Sequence, residues 1–211
     1  MGCQAATRGH KWEALFTLAL ATGMRQGELL GLKWQDINFS TGTLQVRRIL
    51  TRVPPGASGK REFRETEPKT QKSRRRITIA SLALGALSQH RVRQLEIRLK
   101  AGPFWEEHDY VFCTLVGTHL RPGHVVDEFK KLLKKAGLPS VRFHDLRHSA
   151  ATLLLSLGVH AKVVQEMLGH TQISMTMDIY SHVLPSMQQD AVSKLNNLLQ
   201  RPLEDGAAGD G

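Results

Sequence analysis

The sequence predicts an α+β fold that is mainly helical and carries a small antiparallel three-stranded sheet. Two textures lead to that expectation. Apolar residues recur at three- and four-residue steps over residues 11–22 and again beyond Ser81, whereas between Asp36 and Ile79 they alternate with polar ones. A chain of 211 residues with 41% hydrophobic content suits one domain with a buried core.

The first helix is expected over 11–22, where Trp12, Leu15, Phe16, Leu18, Ala19 and Leu20 share helical spacing and Gly23 is placed as a stop. A second helix is expected over 26–33. Ile37 and Phe39, a turn at 40–42, then Leu44, Val46 and Ile49 read as a hairpin. After a Pro/Gly loop at 54–59, residues 63–66 and 76–79 are expected to form two more strands around a turn at 69–73. Residues 82–99 and 125–135 return to helical spacing, with 110–113 the non-helical segment between them. Further helices are expected to begin at His144, His160 and Thr171, with Gly158 and Gly169 closing the first two. A last amphipathic segment aligns Val192, Leu195, Leu198 and Leu199, and 204–211 hold too little apolar content to order. Trp12 and Trp34 are expected in the core.

Composition narrows the partners. The chain carries 29 Lys and Arg against 19 Asp and Glu, a formal charge of +10, and a pI near 10.0. That balance favours a polyanion such as double-stranded DNA. The basic residues crowd between Arg47 and Arg76, and a second set stands at Lys130, Lys131, Lys134 and Lys135. No stretch approaches the roughly 20 apolar residues of a membrane-spanning helix. The N-terminus lacks the order of a secretory signal, and two distant cysteines, Cys3 and Cys113, make a disulfide framework improbable. A cytoplasmic setting and no membrane partner are therefore expected.

Tyr180 is one of only two tyrosines and follows His144, Arg147 and His170 within the run RFHDLRHSAATLLLSLGVHAKVVQEMLGHTQISMTMDIYSHV. Cleaving a phosphodiester by a phenol needs guanidiniums for the non-bridging oxygens, because the charge there grows as phosphorus becomes five-coordinate. It also needs an imidazole to take the proton of a phenol whose pKa is about 10, and an acid for the leaving 5′-oxygen. His144 and Arg147 stand three apart on an expected helix, so both can reach one target.

Four segments together resemble the tyrosine recombinase (phage integrase) family over nearly the whole chain. ATGMRQGELLGLKW resembles its first arginine motif, with Arg25, and HDLRHSAAT its second, with His144 and Arg147. EMLGHTQISMTMDIYSHV resembles the closing motif, with His170 and Tyr180, and PKTQKSRRRITI the strand-turn-strand that supplies a lysine. The resemblance implies a site-specific recombinase in which Tyr180 attacks the scissile phosphate to form a 3′-phosphotyrosyl link. Arg25 and Arg147 would hold the non-bridging oxygens, His144 would assist proton transfer, and His170 would bond the phosphate or help the base. Lys69 would be the general acid, with Lys72 in the same turn as the alternative. No metal, ATP or other cofactor is implied. The resemblance further implies a catalytic domain over 1–203, a tail over 204–211, and absence of the family's N-terminal DNA-clamping domain. It implies a monomer in isolation and a tetramer on recombining DNA.

Other readings stay open at this point. A DNA-binding integrase fragment without independent recombination would need the same basic surface, and a type IB topoisomerase would share the phosphotyrosine chemistry. A metal-dependent hydrolase is prompted by His144 and His148 at zinc-helix spacing with Asp145 between them; Arg147 and the lack of an evident third ligand oppose it. His148 and Asp145 are otherwise read as supporting residues.

Overall fold

Gly23 ends the first helix in the left-handed conformation, and much of the architecture follows from that stop. In the computed structural model, α1 spans Glu13–Thr22 and the Gly23 N–H closes on Ala19 O with φ +60°. The structure describes residues 9–53, 62–68, 73–169, 174, 176–179, 181, 192, 193 and 196. A side chain at Gly23 would put its Cβ 2.2 Å from Leu168 Cδ2, so only glycine lets the far helix approach here.

The chain then makes a short α2 over Gln26–Leu30. The sequence expectation ran this helix to Lys33, but Lys33 instead bridges Tyr110 in a short antiparallel pairing. Trp34 N donates to Asp109 O and Val111 N to Leu32 O, which takes the backbone out of helix. A 3-10 turn over Trp34–Asp36 leads into the strands β1 (Ile37–Asn38), β2 (Thr43–Gln45), β3 (Ile49–Val53), β4 (Glu62–Thr66) and β5 (Arg76–Thr78).

The three-stranded antiparallel sheet is present in the order β1-β2-β5, with Leu44 opposite Ile77. Its membership departs from the expectation. β4 does not pair with β5; it pairs with β3 as a separate two-stranded ribbon, Leu50 opposite Glu65. The expected strand through Leu44, Val46 and Ile49 breaks after Gln45, and this break allows β2 and β3 to serve two different sheets. The ribbon lies flush on α2, because a Cβ at Gly27 would come within 2.8 Å of both Ile49 Cγ2 and Leu50 O.

Four helices complete the described body: α3 (Ser81–Ala101), α4 (Pro122–Lys135), α5 (Asp145–Ser156) and α6 (Ala161–Leu168). The apolar spacing in α3 does not mark its inner face. Leu82, Val92, Leu95 and Leu99 are all more than half exposed, while Ala83, Ala86, Leu87 and Gln94 are buried. Gln94 earns its place by donating to Tyr110 O and Val111 O and accepting from Trp34 Nε1.

The main core joins α1, α2, the sheet, α3 and α4, with the rings of Phe16, Phe129 and Phe143 packed against one another in tilted and edge-to-face pairs. Trp12 is buried there with its Nε1 on Glu128, and Trp34 packs against its edge. A smaller cluster of Ala151, Leu155, Val164 and Leu168 cements α5 to α6, with Ile179 packed against it. Among the described residues no helix is long and apolar enough to cross a membrane. Leu195, Leu198 and Leu199 lie outside the described residues; of the helix expected from Thr171, residues 174, 176–179 and 181 are described and are helical.

Candidate active site

Three arginines from three distant segments converge around one carboxylate. Glu28 is fully buried in α2 and accepts from both Arg75 Nη1 at 3.1 Å and Arg75 Nη2 at 2.9 Å, a bidentate pair. Arg25 stands at the N-cap of the same short helix. Its backbone N donates to Glu28 Oε2 at 3.0 Å, and its Nη1 donates to Glu28 Oε1 at 3.1 Å. Burial by itself raises the Glu28 pKa, but the hydrogen bonds and charges of Arg75 and Arg25 outweigh it and hold the carboxyl below its ordinary range.

The C-terminal end of α6 supplies the other acceptors. Arg75 Nε donates to Met167 O at 2.6 Å and Arg25 Nη2 to Gly169 O at 3.2 Å. These are carbonyls that the helix leaves without intrahelical partners. Gly169 adopts φ +67°, and a Cβ there would sit 2.8 Å from Arg75 Nη1, so glycine at this turn leaves room for the guanidinium.

Arg147 enters from α5. It is only 4% exposed, and its Nη1 donates to Gly23 O at 2.6 Å. Its Nη2 is buried and has no hydrogen-bond partner among the described residues. Desolvation, followed by the nearby Arg25 charge, pushes its pKa down to about 9, still cationic at neutral pH. Among the described residues three guanidiniums stand with one carboxylate here, an excess of two positive charges; Arg25 and Arg75 both bond Glu28, and Arg147 bonds the Gly23 carbonyl instead.

His144 occupies the N-cap of α5, one turn from Arg147. Desolvation first, then the charges of His148 and Arg147, lower its pKa from the ordinary 6.5, so the ring is neutral at pH 7. Its ring meets His148 edge-on with centroids 5.0 Å apart. Asp145 is turned back on Arg142, accepting from its backbone N at 2.8 Å and its Nη2 at 3.2 Å. The carboxylate that prompted the metal-hydrolase reading is thus committed to holding the start of α5.

Of the six residues singled out from sequence, Arg25, His144 and Arg147 are brought into this neighbourhood. Lys69, His170 and Tyr180 lie outside the described residues, as does Lys72. Gly169, directly before His170, and Ile179, directly before Tyr180, are described: Gly169 O is on Arg25 and Ile179 packs on the α5–α6 cluster. Sequence reading missed Glu28, Arg75 and the Gly23 carbonyl. The signal for Glu28 was available, as it is the one acidic residue in ATGMRQGELLGLKW; nothing local marks Arg75 among its basic neighbours.

Residues 3–187 match the phage integrase family. The chain is similar to a tyrosine recombinase XerC-like protein of Caldanaerobacter subterraneus subsp. tengcongensis, 44% identical over 199 residues covering 92% of this chain and 51% of that protein. It is also similar to the ICEBs1 integrase of Bacillus subtilis, at 31% identity over 188 residues covering 89% and 49%. Among solved structures, the Tn1549 transposon integrase in complex with circular intermediate DNA superposes with a TM-score of 0.71 at 25% identity, covering 92% of this chain and 64% of that one. The chain spans about half the length of the curated relatives it matches. On these grounds the chain belongs to the phage integrase family, the tyrosine recombinases.

Proposed function

We propose that this chain is the catalytic portion of a site-specific DNA recombinase that cleaves and rejoins double-stranded DNA through a 3′-phosphotyrosyl intermediate. The observation that carries the reading is the excess of positive charge around Glu28 together with the buried Arg147, whose Nη2 has no hydrogen-bond partner among the described residues. A diester approaching five-coordinate phosphorus carries two negative charges, and preorganised donors stabilise that state most in a desolvated site.

Arg25 and Arg147 hold the non-bridging oxygens, and His170 adds a hydrogen bond to the phosphate or supports the base. The neutral His144 ring accepts the phenol proton as the Tyr180 oxygen bonds to phosphorus. Lys69 gives a proton to the 5′-oxygen as the P–O5′ bond breaks, and the free 5′-hydroxyl later attacks the partner strand's phosphotyrosine. The bond is exchanged rather than hydrolysed, so no metal or nucleotide cofactor is required. The other tyrosine, Tyr110, is a poor nucleophile: it is buried, its hydroxyl donates to Glu65, and burial raises its pKa well above the ordinary range. DNA-bound relatives, the +10 charge and the basic clusters support double-stranded DNA as partner in the cytoplasm. The working assembly is a tetramer on recombining DNA, formed from monomers.

The test is a pool of nicked suicide duplexes with randomised sequence around the nick, analysed on denaturing gels for a covalent protein-DNA adduct. The parent gives an adduct and Tyr180→Phe gives none. An equal adduct from both would remove Tyr180 from the role.

A further inference from the structure

A cavity of about 320 Å³ opens where the start of α1, the middle of α3, the first turn of α4 and residues 112–115 meet, and the reaction scheme makes no use of it. That volume stands at the lower end for small-molecule sites, about 300–1,000 Å³. Trp12, Ile97, Phe112, Leu115 and Leu120 give the cavity apolar walls. Leu115 is 72% exposed, so it forms the rim rather than part of the packing.

The polar groups of the wall are neutral and already committed. His90 Nε2 lies 2.7 Å from Val111 O, which can only accept, so that nitrogen carries the proton; burial lowers the ring's pKa and keeps it neutral at pH 7. Cys113 Sγ accepts from Gln94 Nε2 at 3.0 Å, and burial pushes the thiol up to about 11, so it stays protonated. Thr114 Oγ1 bonds Thr118 Oγ1 at 2.7 Å. No acidic side chain lines the cavity. An occupant rich in hydroxyls or charge along its body would lose its hydration here without gaining partners.

One cation is available at the opening. Lys11 lines the cavity and is exposed, with its ammonium 5.5 Å from the Trp12 ring centroid. Among the described residues Lys11 forms no ion pair. The Glu128 carboxylate feels its charge but is committed to Trp12 Nε1 and Lys131 Nζ. His124, also exposed, meets the Trp12 ring edge-on with centroids 5.6 Å apart and adds a second nitrogen base beside Lys11. The interior is thus apolar, negative charge is absent from the lining, and positive charge stands at the mouth.

We propose that this cavity is a binding site for a small monocarboxylate with a single-ring apolar body, its carboxylate paired with Lys11 and its ring set against Trp12, Phe112 and Leu120. None of these residues belongs to the Arg25–Arg147 cluster, and occupancy does not depend on Tyr180 being the nucleophile.

Three probes with one body and different head groups test the assignment: phenylpropionate, phenylpropanamide and phenylpropylamine. Each is titrated into the whole chain by isothermal calorimetry, with backbone amide NMR shifts recorded alongside. Phenylpropionate should bind about fivefold more tightly than the amide, the size of one exposed ion pair, and the amine should bind most weakly. Lys11→Met, at an exposed position, should lower phenylpropionate to the affinity of the amide and leave the amide unchanged. Leu115→Trp fills the rim and should weaken all three by about tenfold or more, as apolar contact is lost, while the melting temperature stays close to the parent because the replaced side chain is exposed. Equal affinity for the three heads, a preference for the amine, or no binding of any probe at millimolar concentration would overturn the proposal. Shifts that bypass Lys11, Trp12, residues 112–115 and His124, or affinities untouched by Leu115→Trp, would place the probes elsewhere and overturn it as well.

Discussion

Arg75 and Arg147 are buried to almost the same degree, 8% and 4% exposed, yet the protein treats them in opposite ways. Arg75 spends its fork on Glu28 and its Nε on Met167 O. Arg147 has one bond, to Gly23 O, and a second nitrogen that meets no acceptor among the described residues. A buried cation that is fully paired is a brace. A buried cation left short of acceptors is costly to fold around, and such a cost is tolerated where a ligand supplies the missing charge.

That contrast can be broken from the side of the brace first. Arg75→Met leaves the fully buried Glu28 with Arg25 alone, and removing one member of a buried pair costs about 3–5 kcal/mol. Chemical denaturation should show a loss of that size; a loss under about 1 kcal/mol, the scale of an exposed ion pair, would mean that Arg75 braces nothing.

Gly23→Ala sharpens the Arg147 side. The left-handed backbone costs a non-glycine residue about 1–2 kcal/mol, and the new Cβ would fall 2.2 Å from Leu168 Cδ2 and force that side chain away. The carbonyl that orients Arg147 moves with that turn, so thermal stability and adduct formation should fall together. Wild-type activity in this variant would separate Gly23 from the site.

The smallest effect concerns pH. The His144 pKa is lowered, so its neutral, proton-accepting form persists below pH 6.5, and the acid limb of the cleavage rate should lie below that value. Among the causes, the His148 charge follows desolvation. Removing it in His148→Ala relieves the repulsion of protonated His144, raises its pKa, and should move the acid limb upward towards 6.5. A pH–rate profile that stays put or moves down would show that His144 is not the group being titrated.

Residues whose role is local were legible in the sequence. Gly23 and Gly169 stop their helices where the periodicity breaks, and His144 and His160 stand at the N-caps of α5 and α6. Pairing across distance was not. β4 was expected beside β5 across the turn at 69–73, yet it pairs with β3, and its Glu65 meets Lys33, Arg48 and Tyr110, partners that no short window contains. The same holds for Glu28 and Arg75, 47 positions apart. Spacing gave the helix α3 but not its inner face: Leu82, Leu95 and Leu99 face solvent, while His90 bonds Val111 O and Gln94 bonds Tyr110 O and Val111 O from the inner side. The two arginines of the site were recognisable through motif resemblance, but the imbalance of charge that gives them a role became visible only when three segments were brought together.

The most direct test of that imbalance is the single-turnover rate of adduct formation by Arg147→Met on a suicide duplex, with DNA retention and melting temperature measured on the same protein. The predicted result is a rate loss of about 10²- to 10³-fold, as for a missing oxyanion donor, with DNA still retained and far less stability lost than in Arg75→Met. A variant that cleaves at the parent rate, or that loses folding as severely as Arg75→Met, would contradict the assignment of Arg147 as a phosphate-holding group.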